Sequence, residues 1–308
     1  MINQKNVEIL FDYFDTSAIL FYKKYKKTYL EGLVIACENL MANSIEDKYK
    51  EIKQDLNNIL KSVSSIEFQK EEIRKAFQFA CLRGFKHKNI TNQMITPETI
   101  GIFVNYLIAR LYDKQDLILL DPLVGTGNLI TSIANNSNQI KEIIGIDNNL
   151  TAYQLSSALF DILNYGEHVF FQDTLTFEYN SSDVIVTDFS GVEEDVIYNI
   201  IEHYNKSIKS GGFLIGLFDC EVVEPEKLVK QSVNLNKYWK LFGMINLPKN
   251  ILKNKGKCIV IFQREGKVVI QPSKFLLVDL PEFDKEEEMK HVINQINNWF
   301  DNTEFYKI

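Results

Sequence analysis

Four short runs of branched apolar residues recur between residues 117 and 188, and each of them ends on an aspartate. Leu117-Ile118-Leu119-Leu120 leads into Asp121. Residues 142–147 read Glu-Ile-Ile-Gly-Ile-Asp, 168–173 read His-Val-Phe-Phe-Gln-Asp, and 183–188 read Asp-Val-Ile-Val-Thr-Asp. Continuous apolar runs of this length suit strands covered on both faces, as in parallel sheets. Helix-like stretches at 152–164 and 196–209 fall between the runs. The resulting β-α-β-α alternation predicts a parallel, doubly wound sheet. A single aspartate at a strand end is ordinary, because Asp favours turns and helix starts. Four in series, at 121, 147, 173 and 188, mark the strand ends where open α/β sheets bind ligands.

The first junction carries the most information. Residues 121–128 read Asp-Pro-Leu-Val-Gly-Thr-Gly-Asn. Gly125 and Gly127 allow a tight turn and leave no Cβ between the backbone and a bound small molecule. Asp121 stands at the strand tip, placed to accept a hydrogen bond from a cationic ligand. An ordinary strand-to-helix turn is the competing reading of a lone Gly-x-Gly.

Twenty residues past Gly127 stands Asp147, at the end of the second strand. An acid at that spacing suits a ribose hydroxyl pair, which nicotinamide dinucleotides and S-adenosylmethionine both carry. A dinucleotide fingerprint requires a third glycine three positions after the second, and Ile130 stands there. Close approach of a pyrophosphate to the helix start is therefore not provided for. S-adenosylmethionine has no phosphate and carries a sulfonium cation, so a loop with an aspartate at its mouth suits it better.

With 308 residues, 45% of them hydrophobic, the chain is long enough for one α/β domain and a smaller one. The amino-terminal part is free of glycine-rich turns until Arg83-Gly84. It shows helical spacing through Tyr29-Leu30, Leu33-Val34, Ala36-Cys37 and Leu40-Met41, and again through Ile52, Leu56, Ile59 and Leu60. An all-helical domain is predicted over residues 1–88, with Ser44 as the cap of its second long helix and the α/β domain over 89–308. Its apolar stripes exceed what so small a bundle buries, so part of it should pack on the α/β domain or on a second copy, and a homodimer through these helices is expected. Residues 275–280 read as a strand and 285–300 as an amphipathic helix. Cys37, Cys81, Cys220 and Cys258 are scattered, as are the four histidines, which argues for reduced, buried thiols and against a disulfide framework or a metal site. No run approaches a bilayer span and the opening residues do not read as a signal peptide, so a cytoplasmic location without membrane contact is expected.

The order of these motifs resembles the S-adenosylmethionine-binding half of the class I methyltransferases. The motifs are Asp-Pro-Leu-Val-Gly-Thr-Gly-Asn, Gly-Ile-Asp-Asn at 145–148 and Gln-Asp-Thr-Leu at 172–175. Within that class the chain is similar to adenine-specific DNA methyltransferases and to the methylation subunits of type I restriction systems. Gln93-Met94-Ile95-Thr96-Pro97 resembles the segment that opens their first catalytic-domain helix. Lys209-Ser210-Gly211-Gly212-Phe213 resembles their turn before strand five, and Ile245-Asn246-Leu247-Pro248 with residues 257–262 resembles their last antiparallel pair. The whole chain resembles most a small bacterial branch, the YtxK-like methyltransferases. The resemblance implies a Rossmann-like, mostly parallel sheet of seven strands with the last antiparallel, beside an all-helical amino-terminal domain.

It also implies roles. Asp121 and the backbone of Gly125, Thr126, Gly127 and Asn128 would hold the methionine part of the cofactor, with Thr96 near its carboxylate. Asp147 would bind the ribose hydroxyls and Asn148 would flank the adenine. Asp173, followed by Thr174, would accept from the exocyclic amine. Thr96 has a second reading as a plain helix cap before Pro97.

One segment departs from the family. Its amine-methylating members carry Asn-Pro-Pro-Tyr or Asp-Pro-Pro-Tyr after strand four, where acid or amide and a proline carbonyl hold the amine and the ring stacks on a flipped base. Here residues 188–191 read Asp-Phe-Ser-Gly. Asp188 remains as the candidate catalytic residue. The prolines that fix φ are gone, and Gly191 replaces the ring. Phe189 should project differently from a ring at the fourth position, and packing under the loop is its competing reading.

Charge bears on partners. The net charge is −7, whereas a nucleic-acid-binding domain usually concentrates positive charge on one face. Lys23, Lys24, Lys26 and Lys27 interleave with Tyr22, Tyr25 and Tyr29, as a nucleic-acid contact or, more simply, a solvated helix face. Lys249, Lys253, Lys255 and Lys257 form a second cluster suited to a phosphate. No segment is long enough for a target-recognition domain. The expected function is S-adenosylmethionine-dependent methyl transfer of the adenine-amino type with an open acceptor. The alternatives are an inactive cofactor-binding regulatory or assembly module, and a methyltransferase for RNA or a protein amide.

Overall fold

The structure is a computed structural model that describes residues 2–87, 95–223, 235, 237–248 and 256–307. Four helices come first: α1 (Gln4–Tyr25), α2 (Tyr29–Ala42), α3 (Lys53–Lys61) and α4 (Lys70–His87). Asn3 caps α1 by accepting from the Lys5 N–H, and Thr28 opens α2 in a reciprocal capping box with Glu31. Helices α1 and α2 touch backbone to backbone at Gly32, where a Cβ would lie 2.9 Å from Ala18 Cα. Ser44 does not cap the next helix. Its N–H donates to the Asn39 carbonyl, closing α2 beyond a left-handed Asn43, and α3 begins only at Lys53.

Next come α5 (Glu98–Leu111), β1 (Leu117–Asp121), α6 (Asn128–Asn135), β2 (Ile140–Asp147), α7 (Leu150–Ile162), β3 (Val169–Phe171) and β4 (Ser182–Asp188). After them come α8 (Glu194–His203), β5 (Ile208–Asp219), β6 (Trp239–Asn246), β7 (Lys257–Arg264), β8 (Leu276–Asp279) and α9 (Glu286–Asn302). All eight strands form one sheet in the order β3-β2-β1-β4-β5-β7-β6-β8. Only β7 runs antiparallel to its neighbours, β5 and β6. The sequence-based expectation of seven strands is thus exceeded by one. The extra strand is the apolar segment near 275–280, which pairs parallel to the outer edge of β6.

The helix expected over 196–209 is also corrected. It ends at His203, and Lys209 lies in β5, where its ammonium pairs with Asp183 at 2.9 Å. Pairing jumps from Ser182 with Ile208 to Val184 with Phe213, so Lys209-Ser210-Gly211-Gly212 is a bulge inside the strand instead of a turn before it. Gly212 is required there, since a Cβ would sit 2.6 Å from the Asp183 carbonyl oxygen.

The strand order reverses between β1 and β4, and the carboxyl ends of β2, β1 and β4 gather Asp147, Asp121 and Asp188 on one rim. The helical domain is not a separate body beside this sheet. Its core takes in Leu155, Ala158, Leu159 and Leu163 of α7, while Phe160 of the same helix faces the core over the sheet. Helix α7 is therefore apolar on two sides, and its outer side absorbs the surplus apolar surface of the amino-terminal helices. The expected division at 88/89 falls outside the described residues. Leu159 is 1% exposed in this shared core. Leu159→Ala should cost about 2–5 kcal/mol in urea unfolding, and both domains should unfold in one transition; an early separate transition of the helices would contradict the shared core.

Candidate functional site

Asp121 ends β1 fully buried, and its Oδ1 accepts from the Leu123 N–H at 3.0 Å, which turns the chain into the glycine loop. Gly125 and Gly127 both adopt positive φ, 55° and 78°, so the two glycines are conformational requirements. Gly127 also backs onto α7, where a Cβ would meet Phe160 at 3.3 Å. The loop is tied to the neighbouring strand end. Gly125 N–H donates to Asp147 Oδ2 at 3.0 Å, and Asn149 N–H donates to Oδ1 at 2.7 Å.

Asn128 begins α6, and its side chain faces away from solvent. Its Nδ2 donates to the Thr96 carbonyl at 2.7 Å, and its Oδ1 accepts from Arg74 Nη1 at 2.6 Å. Arg74 comes from α4 of the helical domain, is wholly buried, and pairs with Glu71 at 2.6 Å and Glu98 at 3.0 Å. One guanidinium thus joins the helical domain, the start of α5 and the cofactor-loop helix. No motif announces this residue. The only hint is the Glu71–Arg74 spacing on α4.

Thr96 links the same assembly to the loop after β4. Its hydroxyl donates to Asp188 Oδ2 at 2.7 Å, while Ser190 N–H donates to Oδ1 at 2.9 Å. Pro97 is the helix cap and makes no side-chain bond in that role, so the Thr96 side chain serves the site and not the helix. Ser190 accepts from Lys257 Nζ at 2.6 Å, and Lys257 is paired with Asp219, both nearly buried. Phe189 is 1% exposed and packs on Phe218 with ring centroids 4.9 Å apart. It lies under the loop, so it offers no stacking surface to a substrate.

Six of the expected residues, Thr96, Asp121, Gly125, Asn128, Asp147 and Asp188, line one cavity of about 150 Å³ together with Leu123, Val124 and Leu129. Thr126 is buried on the loop and Gly127 sits behind it, neither lining the cavity. Asn148 and Asp173 are exposed on the adjoining rim, where Asp173 Oδ1 accepts from the Leu175 N–H at 2.9 Å. Thr174 is corrected. Its hydroxyl turns inward to the Tyr204 hydroxyl at 3.0 Å, away from any ligand on the rim. The Gln93-Met94 part of the upstream motif and Lys249, Lys253 and Lys255 lie outside the described residues. Cys37, Cys81 and Cys258 are buried thiols, and Cys220 is half-exposed.

Among the described residues the cavity wall holds three carboxylates and no lysine or arginine. Burial pushes the Asp121 carboxyl up to about 7, with the Leu123 N–H opposing the shift and the neighbouring Asp188 and Asp147 adding to it. Burial also raises Asp147, against the N–H groups of Asn149, Gly125 and Asn148.

This sheet and its strand-end loop define the class I methyltransferase fold. Residues 8–85 match the profile of the YtxK N-terminal helical domain. The chain is 26% identical to a protein of Bacillus subtilis strain 168 named YtxK, itself uncharacterized, over 97% of this chain and 99% of that one. A Listeria monocytogenes structure, provisionally named a class I S-adenosylmethionine-dependent methyltransferase, superposes with a TM-score of 0.88 at 25% identity. That match covers 97% of this chain and 100% of the other. The methyltransferase subunit of a type I restriction-modification system from Streptococcus thermophilus shares the fold at 15% identity, with a TM-score of 0.59 over 94% of this chain and 74% of its own. No helix among the described residues is long and apolar enough to cross a membrane.

An acid whose pKa is raised on folding holds its proton longer in the folded state than in the unfolded one. Stability therefore falls as pH rises from the ordinary aspartate range through about 7. Asp121→Asn keeps an acceptor for Leu123 and cannot ionise. Its stability relative to the parent should improve by about 1–3 kcal/mol between about pH 4.5 and pH 8 in urea unfolding. A difference independent of pH would show that Asp121 is not protonated on folding.

Proposed function

We propose that this chain binds S-adenosylmethionine at the β1, β2 and β4 strand ends and belongs functionally to the methyltransferases of the adenine-amino type. The observation that carries the reading is the cavity wall of Asp121, Asp147 and Asp188, which among the described residues has no cationic side chain. A pyrophosphate would meet three carboxylates there, while a sulfonium and an ammonium group are attracted by them. The enclosed volume of about 150 Å³ is below the roughly 300 Å³ of typical small-molecule sites. Only the methionine end would be enclosed, with the nucleoside on the open rim at Asp147, Asn148 and Asp173. Asp147 accepts from the Gly125 and Asn149 amides, with the Asn148 N–H also close, and a carboxylate has about four acceptor positions, which leaves capacity for a ribose hydroxyl. S-adenosylmethionine supplies an activated methyl group when bound. Asp121 supplies negative charge beside it, and the two left-handed glycines keep side chains out of its way.

Calorimetry tests this. S-adenosylmethionine should bind and NAD should not, and Asp147→Ala should weaken binding by about 1.5–3 kcal/mol. Because a bound cation favours ionised Asp121, affinity should rise as pH increases through about 7. An unchanged affinity in Asp147→Ala would remove the ribose assignment.

A second reading, an inactive cofactor-binding module, is favoured by one specific arrangement. Both Asp188 oxygens are already engaged, by Thr96 and the Ser190 N–H, and Phe189 is packed beneath the loop. An acceptor amine would have to share these oxygens with Thr96 and the Ser190 N–H and would find no stacking ring, a deficit of about 1–3 kcal/mol for a base, with misalignment added. No methylation of double-stranded genomic DNA is expected with tritiated cofactor. Label transfer that disappears in Asp188→Ala would establish a working active site.

A further inference from the structure

The lysine-tyrosine segment at the end of α1 is not used by the cofactor site. The structure separates its three tyrosines. Tyr25 is held by Lys48 and Glu51 backbone groups and by an edge contact with Tyr49. Tyr29 is buried and donates its hydroxyl to Asp15 at 2.7 Å, with Asp15 neutralised by Arg83 at 2.8 Å. Tyr22 is 63% exposed.

Between Tyr22 and Tyr29 lies a second cavity of about 350 Å³, lined also by Ile19, Thr28, Leu30 and His87. This volume is within the small-molecule range. One wall is flat: the His87 ring stacks on Tyr29 with centroids 5.5 Å apart and planes 25° from parallel. Ile19 and Tyr22 share a helix stripe with Lys23 near the end of α1. Lys26 adopts a left-handed conformation that turns the chain through Lys27 into Thr28 at the cavity. Among the described residues none of Lys23, Lys24, Lys26 and Lys27 has an acidic partner. The feature is a slot with aromatic walls and no net charge beneath it, followed along the chain by lysines that have no acidic partner among the described residues.

We propose that this corner binds single-stranded nucleic acid, with one unpaired base between Tyr22 and the Tyr29–His87 stack and the adjoining phosphates on the lysines. Aromatic rings hold bases of any sequence through their faces, and lysines track the backbone as point charges. A mononucleotide would satisfy the slot but use only part of the four-lysine set, so a strand is the better fit.

The test uses the full chain titrated with a fluorescent single-stranded decanucleotide, with 5′-mononucleotides and tripolyphosphate as competitors. The strand should bind at least about tenfold tighter than any mononucleotide. Tyr22→Ala should weaken it about tenfold or more, and Lys23→Ala with Lys26→Ala should reduce the salt dependence. All three side chains are exposed or at the surface, so folding is not at stake. Asp147→Ala should leave strand binding intact, which keeps this site distinguishable from the cofactor cleft. The proposal is overturned by an absence of saturable binding, by tripolyphosphate competing as well as the strand, by mononucleotides binding as tightly, or by loss of binding in Asp147→Ala in place of Tyr22→Ala.

Discussion

The site depends on one buried cation. Arg74 is fully enclosed between Glu71, Glu98 and Asn128, and those three residues belong to α4, α5 and α6. Removing one member of a buried ion pair leaves the rest unpaired in a poorly solvated place, which commonly costs about 3–5 kcal/mol. The gain is positional. Asn128 is fixed at the start of α6, its amide holds the Thr96 carbonyl, and the Thr96 hydroxyl reaches Asp188. The helical domain is thus part of the framework of the strand-end cavity, joined to it by this chain of hydrogen bonds and by the apolar outer face of α7.

The loop after β4 shows how a backbone constraint can be replaced by side chains. Without prolines, the Asp-Phe-Ser-Gly segment is held by Thr96 and the Ser190 N–H on Asp188, by Lys257 on Ser190, and by Phe189 buried against Phe218. The loop is ordered by these contacts, and with Phe189 buried beneath it the loop presents no ring on which a base could stack. The proposed binding of a cofactor at the strand ends and the transfer of a methyl group are therefore separable questions with separate tests.

Much of this was legible in the sequence. The four strands ending in aspartate, the glycine loop and the later β6–β7 pair follow from apolar runs and turn residues, which are local signals. Six residues picked from those signals do converge on one cavity. What escaped depends on distant partners. Arg74 looks like any helix-surface arginine until α5 and α6 close over it. Thr174 follows Asp173 on the rim, but whether its hydroxyl faces the rim or the interior is decided by Tyr204, thirty positions away. The bulge at 209–212 follows from Gly212 meeting the Asp183 carbonyl, a contact between strands. Ser44 was read as a helix start because its composition suits a cap, although the left-handed Asn43 before it makes it the end of α2.

The most direct measurement is a crystal structure of the full chain with S-adenosylmethionine. The account predicts cofactor density with the ribose hydroxyls on Asp147, the sulfonium beside Asp121 and the glycine loop, and the Arg74–Asn128 contact retained. Density for the cofactor at another place on the chain, or an empty strand-end cleft at saturating cofactor, would contradict it.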